Sequence, residues 1–195
     1  MIRLRYCVFC GSSRGTRPDY AEAARTLGHE LARRGIDLVY GGGDIGLMGI
    51  VADSAMEAGA HVIGVIPRAL VDREVAHEGL DELRVVDSMH ERKALMVELA
   101  DGFIALPGGL GTFEELFEVL TWAQLGVHRK PCAVVDVCGY FDELRAMLDR
   151  AVNEGFIAAD HRGFLLVETS AERVLDAMVS FRAPQVEGWL DRSST

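Results

Sequence analysis

The stretch Leu106–Leu125, LPGGLGTFEELFEVLTWAQL, reads as a strand end, a glycine-rich turn and the acidic start of a helix in immediate succession. Pro107-Gly108-Gly109-Leu110-Gly111-Thr112 lets backbone N–H groups come side by side, because glycine has no Cβ to block a close approach. The helix that follows points the positive end of its dipole at the same place, so an anion is favoured there. Glu114 and Glu115 then set carboxylates at the edge of that anion site. A phosphate cradle with a carboxylate beside it points to chemistry on a phosphorylated small molecule. A structural reading competes with this one. Thr112-x-x-Glu115 is also a capping box, in which the glutamate only reaches back to the Thr112 backbone N–H. Three glycines in four positions and paired glutamates exceed what a cap requires, yet the local pattern leaves both readings open.

Outward from this stretch, strand and helix alternate along the whole chain. Strands are expected at Tyr6–Cys10, Ile36–Tyr40, His61–Ile66, Leu83–Val86, Gly102–Leu106, Cys132–Val137 and Phe164–Val167. Helices are expected from Pro18 to about Arg34, from the Gly41–Gly49 turn to about Ala58, over Met89–Leu99, from Thr112 onward, over Phe141–Glu154 and up to Phe181. Ser88-x-x-Glu91 and Thr169-x-x-Glu172 are read as capping boxes. The strands are apolar runs rather than strict alternations, which predicts a predominantly parallel sheet of about seven strands covered on both faces. The expected fold is a Rossmann-like three-layer αβα domain over residues 1–182, followed by a flexible tail at 183–195. Ligands of such sheets bind beyond the carboxyl ends of the strands. Three small-residue turns, Gly11–Ser13, Gly41–Gly49 and Gly108–Thr112, are therefore expected on one rim around a nucleotide-sized site.

Composition narrows the function. A net charge of −10 disfavours nucleic acid and anionic membranes as partners, so any anion must be caught by local geometry. The start of the chain shows no apolar leader and no stretch is long enough to span a bilayer, which predicts a cytoplasmic protein. Cys7, Cys10, Cys132 and Cys138 lie in or beside apolar strands and lack a second C-x-x-C, so buried reduced thiols are expected. The six histidines show no metal-ligand spacing, and neither a metal nor a cofactor is expected. Gly41-x-Gly43-x-x-Gly46 spells a dinucleotide fingerprint but follows the second strand, with no acidic residue at the end of the third to hold a ribose. Gly11-x-Ser13-x-Gly15 spells a nucleophile elbow without the sharp strand–serine–helix turn that motif needs. No Walker sequence is present. Arg92 sits near the start of its helix, where a cation opposes the dipole, so a local anion must offset it.

With those residues in hand, the chain resembles the LOG (lonely guy) family of phosphoribohydrolases. The resemblance rests on Met89-His90-Glu91-Arg92-Lys93, then Pro107-Gly108-Gly109-x-Gly111-Thr112-x-x-Glu115 at the family spacing, then Thr121-Trp122-Ala123-Gln124-Leu125-Gly126. The Gly41–Gly43 loop and the Cys10–Ser13 turn, with Ser12, Gly42 and Gly43 as candidate substrate contacts, also fit. It implies cleavage of the N-glycosidic bond of N6-modified adenosine 5′-monophosphates, releasing free base and ribose 5-phosphate. It implies Arg92 and Glu115 as the catalytic pair, and Glu74, Lys93, Gly108 to Thr112 (Leu110 included) and Thr121 as substrate contacts. A homodimer with its site near the subunit interface is implied as well. Glu115 suits a base and electrostatic partner for a developing oxocarbenium ion, while Arg92 serves either the departing base or the phosphate end. The alternatives are an AMP nucleosidase acting mainly on unmodified AMP, a non-catalytic carrier of a nucleotide or molybdenum cofactor, and a pyridoxal-dependent lysine decarboxylase. The last would have to use Lys93 or Lys130, the only two lysines.

Overall fold

The computed structural model describes residues 3–71 and 76–185. Seven parallel strands form one sheet in the order β4-β3-β2-β1-β5-β6-β7. They are β1 (Arg5–Phe9), β2 (Asp37–Tyr40), β3 (Val62–Pro67), β4 (Glu82–Val86), β5 (Gly102–Ala105), β6 (Cys132–Val135) and β7 (Leu165–Glu168). The helices are α1 (Pro18–Arg33), α2 (Gly46–Glu57), α3 (Met89–Leu99), α4 (Leu110–Gln124), α5 (Asp142–Asn153), the short α6 (Ala159–Arg162) and α7 (Ala171–Ser180). None of them is long and apolar enough to cross a membrane.

Strand side chains alternate between two cores, which makes the three layers. Tyr6, Val8, Leu38, Tyr40, Val62 and Ile104 pack with α1, α2 and α7 on one face. Cys7, Phe9, Val39, Ile63, Phe103 and Val134 pack with α3, α4 and α5 on the other. Both faces are dry, and that is why the strands read as continuous apolar runs. Only the edge strand β4 alternates in exposure.

From β1 the chain winds outward to β4, then returns to the other side of β1 to lay down β5, β6 and β7. The switch point of the topology falls between β1 and β5, whose register pairs Phe9 with Ala105. Loops leaving these two strands diverge to opposite faces and open a crevice at their carboxyl ends.

Some expected boundaries move. Strand β6 ends at Val135, because Asp136 turns its carboxylate to accept from the Phe141 backbone N–H at 2.8 Å and starts a tight turn over Val137–Gly139. Cys138 lies in that turn with φ 56° and is exposed, unlike the other three cysteines. Ser170, not Thr169, caps α7, its hydroxyl accepting from the Arg173 N–H. Most of the expected C-terminal tail, 186–195, lies outside the described residues.

Candidate active site

Three loops meet above β1 and β5, held by backbone hydrogen bonds. Gly11 N–H donates to Pro107 O at 3.1 Å, and Leu47 N–H donates to Gly11 O at 2.9 Å. Gly108 and Gly11 approach so closely that a Cβ on Gly108 would overlap Thr112 and the Gly11 nitrogen. Gly46, at φ +67°, lies against the Ser12–Ser13 backbone, where a Cβ has no room. The Tyr140 hydroxyl, from the loop after β6, donates to Gly108 O and fixes the far side of the turn.

Helix α4 decides between the two readings of its first turn. Its N-cap is Gly109, three residues earlier than a Thr112 cap requires, and no side chain caps it. Glu115 therefore lies in the second turn and has no capping role. The first intrahelical bond runs from Phe113 N–H to Gly109 O, so the N–H groups of Leu110, Gly111 and Thr112 have no helical acceptor. They face a cavity of about 250 Å³. A Cβ on Gly109 or Gly111 would meet nothing within 4 Å. Packing does not explain these two glycines; the space in front of them is open.

The cavity is walled by Cys10, Gly11 and Ser12 from the loop after β1, by Gly109 to Thr112, Glu114 and Glu115 from the cap and start of α4, by Met48 and Leu70, and by Met89 and Arg92 from α3. Arg92 is buried, at 5% exposure, and its Nη2 donates to Gly41 O at 3.1 Å. A side chain on Gly41 would occupy the place of that guanidinium. Arg92 and Glu115 thus face one cavity from two helices. Both are felt at Cys7, whose thiol burial pushes well up, Glu115 adding to the rise and Arg92 opposing it. Burial, followed by Glu115, also pushes up the Cys10 thiol at the cavity wall, so Cys10 is not a thiolate nucleophile.

The other candidate residues lie elsewhere. Lys93 does not line this cavity; its Nζ is bonded to Glu114 at 2.5 Å and Glu118 at 2.9 Å. Gly42 and Gly43 are buried beneath the rim: Gly42 O accepts from His77 N–H, and Gly43 bridges to Ala76. Thr121 lines a separate cavity of about 140 Å³ toward the far end of α4, its hydroxyl donating to Phe117 O. Glu74 lies outside the described residues. Tyr20, Tyr140, Ser13 and Arg14 border an adjoining cavity of about 280 Å³, which shares Gly11, Ser12 and Gly109 with the first. The sequence reading missed Tyr140, Met48 and Leu70. Tyr140 was findable, since it lies just past the carboxyl end of a strand next to β5.

Asp44, Asp53 and His77 converge closely enough to suggest a metal. His77 Nδ1 accepts from Gly79 N–H at 3.1 Å, which puts the ring proton on Nε2, 2.9 Å from Asp53 Oδ1. That tautomer has no lone pair on Nε2 to offer, so the cluster instead ties the 76–80 segment to α2.

Residues 48–178 match the family model described as "Possible lysine decarboxylase". Over 171 residues the chain is 54% identical to cytokinin riboside 5′-monophosphate phosphoribohydrolase LOG of Oryza sativa subsp. japonica, covering 88% of this chain and 71% of that protein. It is 53% identical to LOG7 of Arabidopsis thaliana, which bears the same activity in its name, covering 88% and 79% of the two chains. Among solved structures, the molybdenum cofactor binding protein of Rippkaea orientalis superposes with a TM-score of 0.71 at 23% identity, over 92% of this chain and 98% of that one. That likeness is one of fold.

Proposed function

We propose, from the fact that this chain belongs to the LOG family of phosphoribohydrolases, that it hydrolyses the N-glycosidic bond of N6-modified adenosine 5′-monophosphates to free base and ribose 5-phosphate. One observation carries the reading. A helix start with unpaired N–H groups and two glycines open to solvent shares a cavity with a buried arginine and a glutamate. The N–H groups of Leu110, Gly111 and Thr112, with the Ser12 hydroxyl, hold the 5′-phosphate. That binding places C1′ of the ribose at Glu115.

The C1′–N9 bond breaks with its electron pair leaving on the purine, and positive charge builds on C1′. The Glu115 carboxylate stabilises that charge and takes a proton from the water whose oxygen bonds to C1′. The phosphate is served by α4, which leaves Arg92 for the departing purine. An arginine stays protonated at any working pH, so it stabilises the leaving anion by charge and hydrogen bonding, and the purine takes its proton from water. Met48, Leu70, Met89 and Leu110 make the mouth of the cavity apolar, with Leu110 at 88% exposure. That mouth suits an isoprenoid substituent on N6, and favours prenylated nucleotides over AMP.

Incubation with isopentenyladenosine monophosphate, AMP and the unphosphorylated riboside, followed by chromatography of the free base, tests this. Release is expected from the monophosphates, faster from the prenylated one, and not from the riboside. Release from none of them would leave a non-catalytic binding protein, as the name of the R. orientalis structure describes that protein. The decarboxylase reading lacks its lysine: Lys93 is held by two glutamates, and Lys130 Nζ donates to Val97 O at 2.7 Å. Pyridoxal phosphate does not fit a cavity that neither lysine lines. A homodimer is the expected assembly, to be read by light scattering as twice 21.3 kDa.

A further inference from the structure

Lys93 neighbours Arg92 in sequence but faces a different partner. Its ammonium reaches across from α3 to α4 and binds the carboxylates on either side of Glu115, Glu114 at 2.5 Å and Glu118 at 2.9 Å. The Lys93 side chain is only 12% exposed and Glu118 only 21%, so water screens little of that arm, while Glu114 at 52% is screened more. Burial works against the ammonium, but the hydrogen bonds to Glu114 and Glu118 outweigh it, and its pKa is raised. Lys93, Glu115 and Glu118 also line one crevice of about 10 Å³, with room for about one water.

The charges around Glu115 show what the lysine does. Among the described residues, Arg92 and Lys93 approach it from α3, and Glu114 and Glu118 stand beside it on α4. The thiols of Cys7 in β1 and of Cys10 just after it feel the charge of Glu115 and are kept neutral by burial. Lys130 also acts on Cys7. Three carboxylates within five residues of one helix repel one another, and Lys93 is the cation that answers the outer two.

We propose that Lys93 is a positioning residue for glycosidic hydrolysis: by clamping Glu114 and Glu118 it holds α4 in register with Arg92 and offsets one of the two negative charges that flank Glu115, so that less charge opposes its ionised form. The inference rests on Glu115 acting as proposed above. It differs from a substrate contact, because the clamp spends the ammonium on two glutamates rather than on phosphate.

The test is the pH profile of kcat/KM for base release. The trio of Lys93, Glu114 and Glu118 carries a net charge of −1. Lys93→Met makes it −2, and the extra negative charge favours protonated Glu115. The acid limb then moves up by on the order of one pH unit, a loss of about tenfold on that limb, with KM less affected than kcat. Lys93→Met/Glu118→Gln restores −1 and returns the limb toward wild type, as does Lys93→Arg. Glu118→Gln alone leaves the lysine in place and moves the limb down, which keeps the test open if Lys93→Met folds poorly. An acid limb that stays put in all four variants, or a wild type without one, overturns the clamp and leaves the hydrolase intact. A uniform rise in KM for phosphorylated substrates without a limb shift makes Lys93 a phosphate contact, and overturns it also. A wild type that releases no base overturns both readings.

Discussion

Two glycine-rich loops sit on the same rim, and their glycines serve opposite purposes. In Gly41–Gly49 the chain itself fills the space. Gly41 makes room for Arg92, Gly46 lies on the Ser12–Ser13 backbone and Gly49 lies on the Asp44 carbonyl. In Gly108–Thr112 only Gly108 is explained by packing, while Gly109 and Gly111 face emptiness. The loop that spells a dinucleotide fingerprint is thus a packing device, and the loop that spells nothing so familiar is the one open to a ligand. What a Cβ would meet separates the two; the count of glycines does not.

The largest expected effect falls on the acid that the open loop presents. Glu115→Gln should lower kcat by on the order of 10²–10⁴, with the melting temperature near wild type, as read by base release beside calorimetry. Full retention of activity would break the link between the open loop and the chemistry. The closed loop should answer in stability instead. Gly46→Ala combines a positive φ with overlap on backbone that cannot yield, and should cost on the order of 3–5 kcal/mol, measured by denaturant unfolding. A Gly46→Ala protein of unchanged stability would show that this loop is not packed as described.

Helix α4 repeats the contrast at its two ends. Its start leaves N–H groups without a helical acceptor, while its C-terminal half is tied to His128, whose Nε2 donates to Val119 O at 2.9 Å and whose ring lies 5.3 Å from that of Phe103. Burial first, then Lys130, lowers the His128 pKa to about 4, against the opposing bond to Val119. The unfolded chain takes up this proton near 6.5 while the folded one refuses it. Stability is therefore full above pH 6.5 and falls as pH drops toward 4, by up to about 3 kcal/mol. His128→Gln should flatten that part of the stability profile, and a profile with the same slope would remove His128 as its cause.

How much of this was legible beforehand depends on the scale at which each feature is decided. Apolar runs such as Tyr6–Cys10 and Gly102–Leu106 announced a buried parallel sheet, because both of its faces are dry. Glu115 was ambiguous for a matter of three residues: a helix capped at Thr112 makes it the capping partner, and one capped at Gly109 does not. Helix starts shift by that much with tertiary context, and the choice of Ser170 over Thr169 is the same kind of miss. Arg92 was legible as a cation at the wrong end of a helix, but the Gly41 carbonyl that receives it comes from another strand. Met48 and Leu70 were not visible as site residues, since only the strand order brings their loops together. Lys93, one residue from Arg92, was expected as a substrate contact; a helix turns about 100° per residue, and its ion pairs with Glu114 and Glu118 depend on the packing of α3 against α4.

The smallest effect is the sharpest, because its two readouts carry opposite signs. Gly111 lies in the first turn of α4, with no positive φ, and a methyl there would touch nothing in the free protein. Alanine is the better helix former, so Gly111→Ala should stabilise the protein by about 0.5–1 kcal/mol. The same methyl stands where the phosphate comes to the N–H groups, so KM for nucleoside monophosphates should rise by roughly tenfold, about 1.4 kcal/mol. Unfolding curves and initial rates on one preparation measure both. A glycine kept for folding would lose on both counts when replaced. A rise in stability with a fall in affinity is the signature of a residue kept small for its ligand, and an unchanged KM would return Gly111 to the helix.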